Sequence, residues 1–220
     1  MIFNKLKLVS EYSLTFTRKG DIIMARKNKQ EELMNTTYVV VAENGIDTFS
    51  MKTVTTRLGV SEGLIYKYFD TREGLLFKSF VTFQKEIVEV LKESSSLEIK
   101  GETAAEKRER CWKTYFRFLL ESNYKSLFYF EYRWSYRYAE YLKLMNEAEE
   151  DEYTEQMEEF AKALLGHPVQ TASDRDSISW IVENTGLFVK KSLLGDMKKD
   201  EETMHTLFRR IFYGIEGLAG

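Results

Sequence analysis

Apolar residues recur at every third or fourth position along most of the chain, a spacing that gathers them on one face of a helix. The first such stretch runs over about 29–43, and Asn44-Gly45 follows it with residues suited to a left-handed helix end. A single proline and 12 glycines leave few of the turn signals that a many-stranded protein needs. The pattern therefore predicts a mostly helical fold.

Two short helices separated by a glycine are predicted next. Ser50 is a suitable N-cap for a helix over 51–58, and Ser61 is a suitable N-cap for another that ends near Tyr68. Gly59 stands between them, where the chain must turn sharply and a positive φ is cheap only for glycine. The apolar residues spaced to pack the two helices together are Val54, Leu58, Val60 and Ile65. This arrangement predicts a helix-turn-helix whose second helix fits the major groove of DNA.

A longer helix is predicted to tie these N-terminal helices to the rest of the chain. Asp70 or Thr71 can cap it, and it ends in the polar run at 93–96. Its apolar positions at helical spacing are Leu76, Phe80, Phe83, Ile87 and Val90. The later segments predicted to be helical are 103–121, 125–145, 148–165, 174–194 and 201–217.

Charge is distributed unevenly along the chain. The net charge of −3 argues against indiscriminate binding to nucleic acid. Residues 1–23 carry four basic and two acidic side chains (+2), residues 24–80 carry eight and seven (+1), and residues 81–220 carry twenty and twenty-six (−6). Only the first third of the chain can therefore approach phosphates comfortably.

The residue types that build chemical sites are scarce. Cys111 is the single cysteine, which rules out an internal disulfide or a thiolate metal cluster in the monomer and fits a reducing compartment. His167 and His205 are too few and too scattered for a metal site or a nucleophilic triad. No stretch has the length and apolarity of a membrane span or a signal peptide. We therefore expect a cytoplasmic protein without cofactor, metal or enzymatic activity.

The segment from residue 59 to residue 76 carries a specific pattern. It reads Gly59-Val60-Ser61-x-Gly63-x-Ile65-Tyr66-x-Tyr68-Phe69-x-x-Arg72-Glu73-x-Leu75-Leu76. Together with Gly45 upstream, this pattern resembles the signature of TetR-family transcriptional regulators. The resemblance implies an all-α protein with an N-terminal three-helix DNA-binding domain that contains the helix-turn-helix. It also implies a C-terminal helical domain for ligand binding and dimerisation.

The resemblance implies roles for individual residues of the recognition helix. Ser61 would cap this helix, Gly63 would allow a close approach to DNA, and Tyr66 would reach a phosphate. Arg72 would contact the DNA backbone, and we expect Lys67 to contact a base or a phosphate. The full set of candidate DNA-binding residues is Ser50, Ser61, Glu62, Gly63, Leu64, Tyr66, Lys67, Tyr68 and Arg72.

Three positions depart from the family pattern. Thr55 stands where alanine is usual, Leu64 where threonine is common, and Tyr68 where histidine is common. The resemblance assigns Tyr68 to a phosphate contact all the same. These departures leave the fold intact but put the transfer of base preference in doubt.

The stretch 128–141 is rich in aromatic residues and carries Arg133 and Arg137 four residues apart. Aromatic walls with a few charged groups suit an organic effector, and the resemblance implies that the C-terminal domain holds one. Such residues also form ordinary helical core and interface, and the sequence leaves both interpretations open. The candidate effector-pocket residues are Trp112, Tyr115, Phe130, Arg133, Trp134, Arg137 and Trp180.

The last two predicted helices carry more apolar positions than one small core requires. The resemblance implies that this pair meets its symmetry mate as a four-helix interface, which supplies two recognition helices to a palindromic operator. The candidate dimer-interface residues are Ile181, Phe188, Met204, Phe208, Ile211, Phe212 and Ile215.

The N-terminal residues appear surplus to this plan. Family members usually begin a few residues before the first helix, and a purine-rich ribosome-binding sequence can encode Arg18-Lys19-Gly20 at a normal distance before Met24. We therefore expect residues 1–26 to be a disordered extension or a start-site artefact, the alternative being a basic arm that touches the minor groove. Residues 27–73 are predicted to form the DNA-binding domain, and residues 74–220 the effector-binding and dimerisation domain.

The sequence thus predicts a homodimeric repressor that binds double-stranded operator DNA and is released by a small-molecule effector. The mechanism would be a population shift, in which the ligand favours a spacing of the recognition helices that no longer matches successive major grooves. One alternative is a DNA-binding protein without an effector, controlled by a protein partner or organising DNA. Another is a helical enzyme or cofactor-binding protein.

Overall fold

The structure, a computed structural model, describes residues 20–148 and 151–214. Within these ranges the chain forms ten helices and no strand. They are α1 (Gly20–Asn44), α2 (Met51–Leu58), α3 (Glu62–Phe69), α4 (Arg72–Ser96), α5 (Ala104–Glu121), α6 (Asn123–Arg133), α7 (Tyr136–Ala148), α8 (Asp151–Leu164), α9 (Ala172–Leu193) and α10 (Glu201–Tyr213). The prediction of an all-α fold is confirmed.

The predicted helix-turn-helix and the long helix after it have the predicted bounds. Of the two candidate caps for α4, Thr71 is the one used, because its side chain accepts a hydrogen bond from the backbone N–H of Gly74. The first helix differs, since α1 begins at Gly20 and the last seven residues of the proposed 1–26 extension are helical. Residues 1–19 lie outside the described part of the chain.

The single helix predicted over 125–145 is wrong, because the structure divides it into α6 and α7. The break falls at Trp134-Ser135, where the Ser135 hydroxyl donates to the carbonyl oxygen of Tyr132 at 2.7 Å. A serine side chain that bonds a nearby carbonyl offers the backbone an alternative to the next helical hydrogen bond. Two helices therefore meet at a bend immediately after Arg133.

One core joins the N-terminal helices to the rest of the described chain. Phe80 of α4 lies at its centre, with the rings of Tyr129 and Tyr132 from α6 stacked against it at centroid distances of 5.1 and 4.3 Å. Tyr38 of α1 meets Phe128 of α6 edge-on at 5.1 Å, and its hydroxyl donates to the carbonyl oxygen of Ser79 at 2.9 Å. The helix before the helix-turn-helix thus packs directly on the larger helical part. None of the helices in the described ranges is long and apolar enough to cross a membrane.

Candidate DNA-binding interface and effector site

The turn between α2 and α3 has the geometry that the sequence predicted. Gly59 adopts a left-handed conformation with φ of 63°, and its N–H points back to the carbonyl oxygens of Thr55 and Thr56. Thr55 is buried where the family pattern has alanine, and its hydroxyl donates to the carbonyl oxygen of Lys52 at 3.1 Å. This departure therefore leaves no unpaired polar group in the core.

The two faces of α3 differ sharply. Ile65 and Phe69 are buried against the core, whereas Leu64 and Tyr68 are half-buried beside them. The side chains or backbone exposed to solvent are those of Ser61, Glu62, Gly63, Tyr66 and Lys67. The exposed residues are thus five of the nine candidates for DNA contact, gathered on one side of one helix and its cap. Ser50 is half-buried as the N-cap of α2 and makes no side-chain capping bond.

A tight turn fixes α3 relative to α4. Asp70 ends α3 with φ of 58°, the one positive φ among the non-glycine residues in the described ranges. Gly74, in the first turn of α4, lies so close to α3 that a Cβ atom placed on it would be 2.2 Å from the carbonyl oxygen of Phe69. Glycine at this position is what allows the end of α3 to touch the start of α4.

Arg72 lies at this junction but faces inward. Its Nε donates to the carbonyl oxygen of Phe49 at 3.1 Å, its Nη2 donates to that of Ile46 at 3.4 Å, and its Nη1 pairs with Glu73 at 2.8 Å. The guanidinium also lies 5.6 Å from the centroid of the Phe49 ring. In this conformation Arg72 anchors the loop between α1 and α2, and a contact with the DNA backbone would compete with these bonds.

The structure separates the seven effector-pocket candidates into three groups. Trp112, Tyr115 and Phe130 are buried. Trp134 and Trp180 are 45% and 59% exposed, respectively, and the Trp180 indole N–H donates to the carbonyl oxygen of Ile211 in α10. The two arginines form the third group. The seven residues therefore differ in burial, and their assignment to one effector pocket stays a prediction.

Arg137 is 4% exposed and fully paired. Its Nε donates to Glu73 at 2.9 Å, and its Nη1 donates to Asp47 at 3.2 Å. Burial opposes its charge, but hydrogen bonds to these two carboxylates outweigh that effect and raise its pKa above the ordinary value. Because Glu73 lies in the first turn of α4 and Asp47 lies in the α1–α2 loop, Arg137 connects α7 to the helix-turn-helix. We call this set Arg137, Glu73 and Asp47 the inter-helix latch.

Arg133 ends α6 in a different environment. Its Nη1 lies 2.7 Å from the hydroxyl of Tyr138, and its guanidinium carbon lies 4.3 Å from the centroid of the Tyr138 ring and 5.8 Å from that of Tyr129. Its Nε is buried without a hydrogen-bond partner, as is the hydroxyl of Tyr115. Neither Tyr129 nor Tyr138 was among the sequence candidates, although both lie within the aromatic stretch 128–141 that suggested an effector pocket.

The dimer-interface candidates are mostly core residues of the protomer. Ile181, Met204, Phe208 and Ile211 are buried, Phe188 and Phe212 are half-buried, and Ile215 lies outside the described residues. The large apolar side chains left exposed on α9 and at its C-cap are Trp180, Leu187 and Leu194, seven residues apart from one to the next. On α10 the exposed large apolar residue is Tyr213. The large apolar side chains on the surface of this protomer thus differ from the candidates, whose place in a dimer interface stays a prediction.

Comparison with known proteins agrees with this arrangement. The family model described as bacterial regulatory proteins, tetR family, matches residues 33–78, which span the end of α1, the helix-turn-helix and the start of α4. No curated protein matches the chain. The predicted resemblance to the TetR family is confirmed by sequence over this segment.

Solved structures extend the likeness to most of the chain. A TetR-family transcription regulator from Marinobacter aquaeolei VT8 is 19% identical, with a TM-score of 0.61 over 86% of this chain and 96% of its own. A putative TetR-family regulator from Shewanella sp. PV-4 is 14% identical, with a TM-score of 0.65 over 84% and 96%. The fatty acid degradation regulator FadR from Bacillus halodurans is 19% identical, with a TM-score of 0.60 over 85% and 96%. The chain has the fold of these TetR-family regulators.

Proposed function

We propose that this DNA-binding regulator is a homodimeric repressor that binds a palindromic operator through α3 and is released by a small molecule. The main support for a DNA-binding role of α3 is the environment of Gly63. A Cβ atom on Gly63 would meet nothing closer than the Ser61 hydroxyl oxygen at 3.9 Å, and its φ is not positive. The chain itself therefore has no need of glycine here, although glycine costs a helix about 1 kcal/mol relative to alanine. Glycine at position 63 is explained if the DNA must approach the backbone of α3 closely.

Part of the acidic charge around α3 is neutralised within the protein, although Glu62 of α3 and Asp70 at its C-cap are exposed. Among the acidic groups of the N-terminal helices, Glu43 is paired with Arg57, and Glu73 and Asp47 are held in the inter-helix latch. The exposed amines of Lys52 and Lys67 form no ion pair with any described residue. The paired carboxylates repel DNA less than their number suggests, and the free lysines can neutralise phosphates.

We expect Tyr66→Ala and Lys67→Ala each to weaken operator binding without changing the thermal midpoint. Both side chains are exposed and neither belongs to the buried core, so their removal should weaken the DNA complex far more than the fold. Removal of the Lys67 phosphate contact should also reduce the slope of log affinity against log salt by about one. Titrations of labelled operator at several salt concentrations measure both effects.

Tyr124→Ala and Lys100→Ala are the matched controls, since they remove an exposed tyrosine on α6 and an exposed lysine in the loop before α5. They should bind operator like the wild-type protein. Equal affinities and slopes for all four variants would show that α3 does not face the DNA.

A second copy of the chain is the partner that we assign to the exposed apolar face of α9 and α10. Leu187 and Leu194 are 44% and 65% exposed, and the stripe that they form with Trp180 runs along most of α9. Regulators of this fold typically dimerise, and a palindromic operator requires two recognition helices related by a two-fold axis. Association through this stripe would remove its apolar surface from water.

We expect Leu187→Glu and Leu194→Glu to convert the dimer into folded monomers and to weaken operator binding in step. Neither side chain is part of the protomer core. Each substitution therefore places an unpaired carboxylate at the proposed interface and leaves the core unchanged. Light scattering gives the mass, and circular dichroism checks that the monomer is folded. Leu97→Glu, at an equally exposed leucine after α4, is the control and should remain dimeric. An intact dimer for both α9 variants would move the interface elsewhere.

The inter-helix latch provides a route from the larger helical part to α3. A ligand that displaces α7 would move Arg137 and hence Glu73, at the tight turn that sets the position of α3. Operator release then requires only that the ligand bind this displaced state more tightly than the operator-bound state.

DNase protection of the region upstream of the protein's own gene tests the proposed function directly. A protected palindrome that a metabolite exposes again supports the ligand-released repressor. Protection that no metabolite lifts indicates a regulator without a small-molecule effector. No protection at any site overturns the DNA-binding role of α3.

A further inference from the structure

We propose that the effector is an organic anion whose carboxylate pairs with Arg133 between α5, α6 and α7. This inference rests on the proposed effector site and names the chemistry that the site selects. It also distinguishes the two arginines that the sequence could not separate, because Arg137 already has its anions within the chain.

The first observation is that Arg133 has no counter-ion. No carboxylate of the described residues lies within ion-pairing distance of it, and its Nε is enclosed without any acceptor. Glu131, two residues earlier, is engaged with Lys190 at 3.5 Å. Arg133 is half-buried, and a cation that is partly withdrawn from water without an anion lowers the stability of the folded protein.

The surrounding tyrosines cannot serve as anions at neutral pH. Burial raises the pKa of Tyr129 to about 12, although the nearby Arg133 charge opposes this shift. Burial also raises the pKa of Tyr115 well above its ordinary value. The rings of Tyr129 and Tyr138 offset part of the cost through cation–π attraction, but an uncharged ring supplies no full negative charge.

The second observation is a spare hydrogen-bonding group next to the spare charge. The Tyr115 hydroxyl is buried without a hydrogen-bond partner, and the positive charge of Arg133 acts to lower its pKa against the larger effect of burial. A carboxylate has two oxygens and can accept from the guanidinium and from a tyrosine hydroxyl together. Arg133 Nε and Tyr115 Oη are a donor pair that such a group would satisfy.

The third observation concerns what surrounds the charge. Phe80 stacks on Tyr129 and meets Tyr138 edge-on at 5.8 Å, and Tyr115 meets Phe160 of α8 at 6.2 Å. The wall next to the guanidinium is thus aromatic, which suits a ligand with an apolar body and favours an organic carboxylate over a small inorganic ion.

The position of Arg133 also explains how an anion could act on the DNA-binding helices. Its Nη1 holds the hydroxyl of Tyr138, across the bend between α6 and α7, and Tyr138 follows Arg137 in the chain. A carboxylate that takes this Nη1 displaces Tyr138, the residue adjacent to the inter-helix latch. Anion binding and latch geometry are therefore linked through one side chain.

The test uses full-length protein and three named carboxylates, benzoate, cinnamate and decanoate, each paired with its primary amide. Thermal unfolding and titration calorimetry are measured for the wild-type protein, Arg133→Met and the surface control Arg117→Met. We expect at least one carboxylate, but not its amide, to raise the midpoint of the wild type and of Arg117→Met. Arg133→Met should bind that carboxylate at least tenfold more weakly.

Tyr138→Phe provides a second measurement that does not depend on the folding of Arg133→Met. It removes the hydroxyl that competes for Arg133, so it should tighten carboxylate binding. The proposal is overturned if the amides bind as well as the carboxylates, if none of the three acids binds, or if Arg133→Met binds as the wild type does. Operator affinity of the ligand-free proteins is measured separately, so a failure of DNA binding is distinguished from a failure of the anion site.

Discussion

Gly74→Ala is expected to abolish useful operator binding, with a loss of affinity of about 100-fold. The added Cβ would lie 2.2 Å from the carbonyl oxygen of Phe69 and 3.2 Å from the Thr71 hydroxyl oxygen, so α3 and α4 must separate. Displacing α3 in both protomers weakens its DNA contacts, and a combined loss of about 2.8 kcal/mol corresponds to this factor. The overlap also lowers the free energy of unfolding by about 2 kcal/mol, even after the gain in helix propensity.

Gly63→Ala is the matched control, since it changes the same residue type eleven positions earlier in the same motif. Its Cβ enters open space, so the free energy of unfolding should stay constant or rise by about 0.5–1 kcal/mol. Operator affinity should nevertheless fall, because the methyl group points to where we place the DNA. Urea denaturation and operator titration separate the two variants. A Gly74→Ala protein with normal stability would show that the turn can open without cost.

Neutralising both acids of the inter-helix latch is expected to destabilise the protein more than removing its arginine. Asp47→Asn with Glu73→Gln leaves Arg137 buried without an anion, which we expect to cost about 2 kcal/mol. The figure is below that of a fully buried pair because both carboxylates are solvent-exposed. Arg137→Met removes the buried charge itself and should cost about 1 kcal/mol or less.

The surface pair Arg117–Glu201 serves as the control for the latch. Both side chains are exposed, so Arg117→Met should change the free energy of unfolding by no more than about 0.5 kcal/mol. Because the latch joins α7 to the helix-turn-helix, Arg137→Met should also retain operator binding while losing its response to the effector. Equal destabilisation by the double variant and Arg137→Met would mean that burial of the charge plays no part.

The DNA-binding helices could be predicted almost to the residue because their signals are local. A residue at a helix N-cap and a single glycine turn each act within a few residues of where they stand in the sequence, although of the three caps only Thr71 makes the side-chain capping bond. Ser50, Gly59, Ser61 and Thr71 mark the bounds of α2, α3 and the start of α4 as the structure has them. The break between α6 and α7 contains no glycine or proline, so these local signals did not predict it.

The two arginines show where sequence reasoning stops. Arg133 and Arg137 have the same chemistry and stand four residues apart, yet one has two carboxylate partners and the other has none. Those partners lie 64 and 90 residues away in the chain, at Glu73 and Asp47. Only the packing of α7 against the start of α4 and the α1–α2 loop brings them together.

The choice of a dimer face from the sequence meets a related difficulty. Periodicity identifies which side of a helix is apolar, but a continuous apolar stripe can be the core of one protomer or the seam between two. On α9 the stripe that includes Ile181 is core, whereas Trp180, Leu187 and Leu194 remain on the surface. A spacing of seven residues was the signal available in the sequence, and it is typical of helices that meet a partner helix.

The exposure of the tryptophans gives the chain built-in optical probes. Its three tryptophans are Trp112, enclosed and donating to Thr185, and Trp134 and Trp180, both open to water. An indole that leaves water for an apolar contact emits at shorter wavelength, so protein concentration should shift the emission of Trp180 if α9 pairs with its copy. Trp134 adjoins Arg133 and lies beneath the Lys190 amine at 5.7 Å, so a ligand at the bend should alter its emission instead. Variants that keep only one tryptophan would therefore report the two events separately and without an attached dye: Trp180 would report assembly and Trp134 would report ligand binding.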